Sequence, residues 1–170
     1  AGEVMVARTH NVAAQATTLG KRFADVAEET MIGFDRVEEL LARYPLRGLK
    51  GPVGTRLDQL DLLGDPDRVD ELEQAVAEHL GFSRVLDSVG QVYPRSLDLD
   101  VVSAIAQAVS APSSATTTLR LMAGHELATE GFRPGQVGSS AMPHKMNARS
   151  AERVNGLKLV IDGHLTMAAG

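Results

Sequence analysis

Cysteine and tryptophan are both missing from this sequence, and only 4% of its 170 residues are aromatic. Without cysteine there are no disulfides, no thiol catalysis and no cysteine-ligated zinc in this stretch, which is compatible with a cytoplasmic setting. Scarce aromatics beside abundant Ala, Leu and Val suit helix-on-helix packing better than a sheet. No apolar run approaches the ~20 residues of a membrane span, and Ala1–Ala7 lack the basic start and apolar segment of a signal peptide. Nor is there an excess of positive charge. The net charge of −5 argues against a nucleic-acid or anionic-membrane surface but leaves room for a local anion pocket.

What is present is helical periodicity. From about Ala14 to Arg43, the residues Leu19, Phe23, Val26, Thr30, Gly33, Val37 and Leu40 step by alternating fours and threes, the spacing of a heptad-like seam. A second stripe, Ala24, Ala27, Met31, Phe34 and Leu41, widens the apolar face enough for more than one partner helix. At ~1.5 Å per residue this helix would span about 45 Å. A Gly/Pro-rich connection, Pro45–Thr55, interrupts the pattern. A shorter helix is expected over about Asp67–Leu80, closed by Gly81, followed by an irregular stretch to Arg95.

A further long helix is expected from Ser96 to about Glu126. Pro112 lies on its seam, so a kink is expected there, with a break into two helices as the alternative. Residues 129–146 read as a Gly-rich loop, and a last helix is expected to open at Asn147 as its N-cap. Seamed helices with no strands between them predict an all-α, long-helix bundle. Ala1 is not an initiator Met and the helical pattern still runs at Gly170, so the sequence reads as part of a longer polypeptide.

The loop Gly138-Ser139-Ser140-Ala141-Met142-Pro143-His144-Lys145-Met146-Asn147 holds the chemistry. It places a hydroxyl pair behind a glycine, then a lysine, then an asparagine at a helix start. Backbone N–H groups of such a loop attract anions, and a serine beside Lys145 could have its alkoxide stabilised enough to act as a base. Loop chemistry alone leaves a second reading open, a solvated linker in which Asn147 only caps. Elsewhere, His125-Glu126 begins like H-E-x-x-H, but Thr129 stands where the second histidine is needed. Gly131, Gly135 and Gly138 do not fit G-x-G-x-x-G. His79, His125 and His164 read as ordinary helix-face residues, and no metal or organic cofactor is implied.

The loop resembles the signature G-S-S-x-M-P-x-K-x-N of the fumarase/aspartase superfamily. Arg8-Thr9-His10 with Gln15-Ala16-Thr17-Thr18 resembles its first signature, and Gly51-Pro52-Val53-Gly54-Thr55 its G-x-x-G-T turn. Within the superfamily, Gly90-Gln91-Val92-Tyr93-Pro94-Arg95 and Arg149-Ser150-Ala151-Glu152-Arg153 look most like the adenylosuccinate lyases. Ala148 departs from the usual Pro after the loop asparagine; read as the first helical position, it tolerates Ala well. The resemblance covers essentially the whole chain and implies residues 1–170 to be part of a central helical domain, the amino- and carboxy-terminal domains lying outside it.

It also implies a reaction, fumarate elimination from adenylosuccinate and from the succinylcarboxamide ribotide precursor, in purine biosynthesis. By this resemblance Ser139 is the base, His10 the acid and Lys145 the stabiliser of charge building on the substrate carboxylate. Thr9, Gln91, Ser140, Asn147 and Arg153 would bind substrate, the alternative for Ser140 being that it only shapes the loop. Glu152 would orient a histidine from another domain. The implied partners are a small-molecule nucleotide substrate and further copies of the chain in a homotetramer with shared active sites. Other readings are another superfamily lyase, such as argininosuccinate lyase or a cycloisomerase, a non-catalytic structural relative, and a helical oligomerisation module.

Overall fold

At the start of the chain, where helix was expected to begin at Ala14, there is a hairpin. In the computed structural model, which describes residues 2–170, β1 (Val4–Thr9) pairs antiparallel with β2 (Val12–Thr18). The pairs Val4–Thr18, Val6–Ala16 and Thr9–Val12 fix the register, and β2 bulges by one residue between Ala13 and Ala16. Two residues close it: His10 and Asn11 have φ of 50° and 66°, the left-handed pair that a tight hairpin turn demands and that His and Asn tolerate better than most side chains. The chain is therefore mainly helical but not all-α. Alternating β-branched Val4, Val6 and Val12 won over the weak helical preference of Ala13–Ala16, because strand pairing supplies partners that a local pattern does not show.

Thr18 ends β2 in extended conformation and caps α1 (Leu19–Arg43), its Oγ1 accepting from Lys21 N at 3.1 Å. The helix thus starts later than the periodicity suggested. Its first stripe is the one that packs: Gly33 and Leu40 are buried, and Val26, Thr30 and Val37 half-buried. Gly33 sits directly on α4, where an added Cβ would lie 2.9 Å from the Ala108 Cα. The second stripe, Ala24, Ala27, Met31, Phe34 and Leu41, is exposed in this chain.

After α1 come α2 (Leu57–Leu63), which periodicity did not anticipate, and α3 (Pro66–His79). The Asp65 carboxylate caps α3, with Pro66 at its first turn, where a missing N–H costs nothing. Gly81 (φ 80°) ends it as expected, with Phe82 N bonded to Ala77 O and Gly81 N to Glu78 O, a Schellman closure. Between these elements, buried Lys50 meets Glu73 at 2.8 Å, and the same carboxylate accepts from Leu49 N.

The expected helix 96–126 is two helices, α4 (Ser96–Ala108) and α5 (Ser110–Gly124), meeting at Val109. Pro112 explains the position: it has no N–H to donate to Ala108 O, and its ring crowds that carbonyl. Helix α6 (Arg149–Ala169) packs on both α4 and α5, while α1 packs on α4 and α5 from elsewhere. Asn155 fastens α6 to α5, its Nδ2 donating to Ser113 O (2.9 Å) and Thr116 Oγ1 (3.0 Å). No helix among the described residues is long and apolar enough to cross a membrane.

Candidate active site

Three segments, on three different supports, present the predicted residues. Thr9 and His10 stand at the hairpin tip, both exposed, with Arg8 Nη1 bonding Asn11 O (2.9 Å) to brace the turn. The hairpin joins α1 directly at Thr18–Leu19, and the faces of its strands are largely exposed.

Gln91 lies on the strap before α4. Arg47 holds this strap from below, its guanidinium donating to Lys50 O (2.7 Å), Gly51 O (3.1 Å) and Gly90 O (2.7 Å). Gly54 (φ 83°) lets the 51–55 turn press against the strap: a Cβ there would lie 1.7 Å from Val89 O. The G-x-x-G-T turn is thus a seat for the segment bearing Gln91. Arg47 escaped the sequence reading because a lone arginine in a Gly/Pro-rich connection has no periodic or motif signal.

The third segment is the loop between α5 and α6. Gly138 meets the chain coming back at Lys145; a Cβ on it would be 2.0 Å from Lys145 O and 2.9 Å from the Phe132 ring. Only glycine permits that approach. The Ser139 Oγ accepts from Met142 N at 3.2 Å, and Lys145 N donates to Met142 O at 3.0 Å. A backbone N–H aimed at the serine oxygen favours its alkoxide over its hydroxyl, which is what a serine base requires. Ser139 is half-buried, while Ser140 and Lys145 are exposed.

Asn147 does not cap α6 as expected. Its Nδ2 turns back to Gly138 O (3.4 Å), and Ala148, whose side chain has no acceptor, occupies the N-cap position. The free N–H groups of α6 are instead taken by Glu130, whose carboxylate accepts from Ser150 N (3.1 Å) and Ala151 N (2.8 Å). The Ala151 bond leads in holding the Glu130 carboxyl below the usual glutamate range, with Ser150 adding to it. Sequence reading passed over Glu130 because its partners lie about twenty positions ahead. Glu152 is near Arg120 (3.9 Å), and both Glu152 and Arg153 are exposed one turn into α6.

Ser139, Ser140, Lys145 and Asn147 thus share one loop, which runs directly into the first turns of α6 where Glu152 and Arg153 stand. It does not bring the hairpin to them: the hydrogen bonds among the described residues include none between residues 4–18 and residues 129–153. A groove of about 270 Å³ between α1 and α4, lined by Arg36, Arg43, Asp100 and Gln107 among others, contains none of the predicted residues.

A family model described as Lyase matches residues 3–163. The chain belongs to this lyase family. Among curated relatives, this lyase-family chain is 37% identical to the adenylosuccinate lyase of Saccharomyces cerevisiae over 150 residues, covering 88% of this chain and 31% of the relative. It is 33% identical to the Schistosoma mansoni adenylosuccinate lyase (91% and 32% covered). With that of Streptococcus mutans it shares 32% identity over 167 residues (97% and 36% covered). The chain spans about a third of the length of the curated relatives it matches.

Proposed function

We propose that this chain is the central helical segment of an adenylosuccinate lyase, an enzyme that eliminates fumarate from adenylosuccinate to give AMP and acts likewise on the succinylcarboxamide ribotide. The observation behind this reading is the closed Gly138–Asn147 loop, in which the Ser139 oxygen already receives a backbone N–H. In the proposed reaction Ser139 removes the proton beside the substrate carboxylate, and Lys145 balances the negative charge that accumulates there. His10 protonates the departing nitrogen, a task suited to an imidazole whose ordinary pKa lies near neutrality. Thr9, Gln91, Ser140, Asn147 and Arg153 hold the carboxylates and phosphate, and Glu152 orients a histidine from outside residues 1–170.

The assembly we propose is a cytoplasmic homotetramer built around a shared long-helix bundle. Two features support it. The α1 stripe bearing Met31, Phe34 and Leu41 and the α6 residues Leu157, Leu159, Val160 and Met167 are exposed here. The hairpin also carries His10 on a support separate from the Ser139 loop, as an active site shared between copies requires.

The direct test is Ser139→Ala in the full-length enzyme, followed by fumarate release. The variant should lose about 10²–10⁴-fold in kcat, the span of a general base, while substrate binding stays near wild type. Ordinary turnover with weakened binding would make Ser139 a binding residue and place the base elsewhere.

A further inference from the structure

Glu130 does something that the elimination chemistry does not explain. It caps α6 from a distant point in the chain, in place of Ala148, whose methyl group has no acceptor to offer. An N-cap side chain ordinarily serves the second and third N–H groups of its own helix. Here those groups belong to Ser150 and Ala151, and each bonds one oxygen of the Glu130 carboxylate. Bonds from two amides to one anion at the positive end of a helix are stronger than neutral ones. Next to Glu130, the Thr129 Oγ1 accepts from Gly131 N (3.0 Å) and lies 3.1 Å from Met146 Sδ. The chain entering the loop is therefore fastened to the chain leaving it, and Ser139 and Lys145 lie in between.

We propose that Glu130 is a positioning residue for the reaction: by gripping the first turn of α6 it sets where the Ser139–Lys145 loop stands relative to Glu152 and Arg153. The inference rests on the lyase reading above. It differs from simple helix capping because a local cap would stabilise α6 equally well and leave the loop unattached. An asparagine or aspartate at position 148 could have served that purpose.

The experiment uses the full-length enzyme with Glu130→Ala, Glu130→Gln, and Glu130→Ala combined with Ala148→Asp. Each is assayed for fumarate release and for hydrogen exchange in the peptide containing Ser150 and Ala151. Glu130→Ala should lower kcat about 10- to 100-fold, the scale of an ångström-level misplacement, and should speed exchange at the α6 start. Glu130→Gln keeps one acceptor oxygen and the size of the side chain, so it should recover part of both, and it provides the measurement if the alanine variant folds poorly. In the double variant the carboxylate introduced at position 148 should restore protection of the amides without restoring kcat.

Recovery of kcat along with protection in the double variant would reduce Glu130 to a cap and overturn the proposal. Unchanged kcat in Glu130→Ala despite faster exchange would do the same, as would exchange that does not respond to Glu130 at all. Wild-type enzyme that leaves adenylosuccinate intact would sink the lyase reading, and the positioning role with it. The exchange measurement would still report separately whether the grip on α6 exists.

Discussion

The hairpin and the 129–149 loop both present candidate catalytic residues, but they are held in opposite ways. His10 is placed by a backbone ladder: paired strands, a two-residue turn and a capped helix behind it. Ser139 and Lys145 are placed with no regular structure, by a glycine pressed on a carbonyl, a serine oxygen on an amide and a carboxylate on a helix end. A ladder distributes its strength over many equivalent bonds. A pinned loop concentrates it in a few side chains, so single substitutions should affect the two regions unequally.

The largest expected effect tests whether the two regions belong to one active site. Full-length His10→Ala and Ser139→Ala enzymes should each be nearly inactive. Dissociated, mixed in equal amounts and reassociated, they should regain about a quarter of wild-type activity if each site takes its histidine and serine from different copies mixing at random. Activity that stays at the parental level, with mixing verified by mass spectrometry, would place both residues in one chain.

Next is Gly138→Ala. The new methyl group cannot coexist with Lys145 O 2.0 Å away, so the loop must open, and turnover should fall by about 10²-fold with little change in helix content by circular dichroism. Undiminished turnover would show that the closed loop is not the working one. On the hairpin side, Asn11→Val forces a β-branched residue into left-handed backbone at a cost of about 1–2 kcal/mol. Because the ladder remains, denaturant unfolding should register this loss while kcat falls by less than in Gly138→Ala. The reverse ranking would contradict the contrast between ladder and pins.

Acid provides the smallest and most selective effect. The folded-state pKa of Glu130 is lowered by the Ala151 and Ser150 amides, so its contribution is complete above the ordinary glutamate pKa and is lost as pH falls through the lowered value. Exchange at Ser150 and Ala151 should accelerate across that interval, after correction for intrinsic rates, while the amides of β1 and β2 show no matching step. A step shared by both regions would indicate general acid unfolding.

How much of this was legible beforehand differs between the same two regions. The loop's candidate residues stood out because Gly138, Ser139 and Lys145 are neighbours in sequence as well as in space. Residue types alone left a solvated linker also open, and it was the family signature that gave Ser139 and Lys145 their proposed roles. The device holding the loop could not be read, since Glu130 and Ala151 meet only once the loop is folded, and Asn147 looked the better cap by residue type. For the hairpin, Ala13–Ala16 offered no signal against helix, and the pairing that decides the matter joins Val4 to Thr18. Packing was readable in part where periodicity is long: the α1 stripe is buried at Gly33 and Leu40 and half-buried at Val26, Thr30 and Val37, while Phe23 on the same stripe is exposed. Pro112 announced a disturbance, expected as a kink; the outcome is the alternative, a break into two helices, and the Ala108 carbonyl that the ring crowds accounts for its falling at Val109.

The two-residue turn also makes the hairpin a measure of distance. With about 3.3 Å of rise per residue, the seven residues of β2 place His10 roughly 20 Å beyond the start of α1. Adding one residue pair to each strand would extend that reach by about 7 Å and leave His10 facing the same way. A single residue inserted in one strand would need a second bulge like the one β2 already carries, or else slip the register and turn every following side chain to the opposite face. Length variants of this arm should therefore be tolerated best in matched pairs, which keep His10 on the same face while moving it outward.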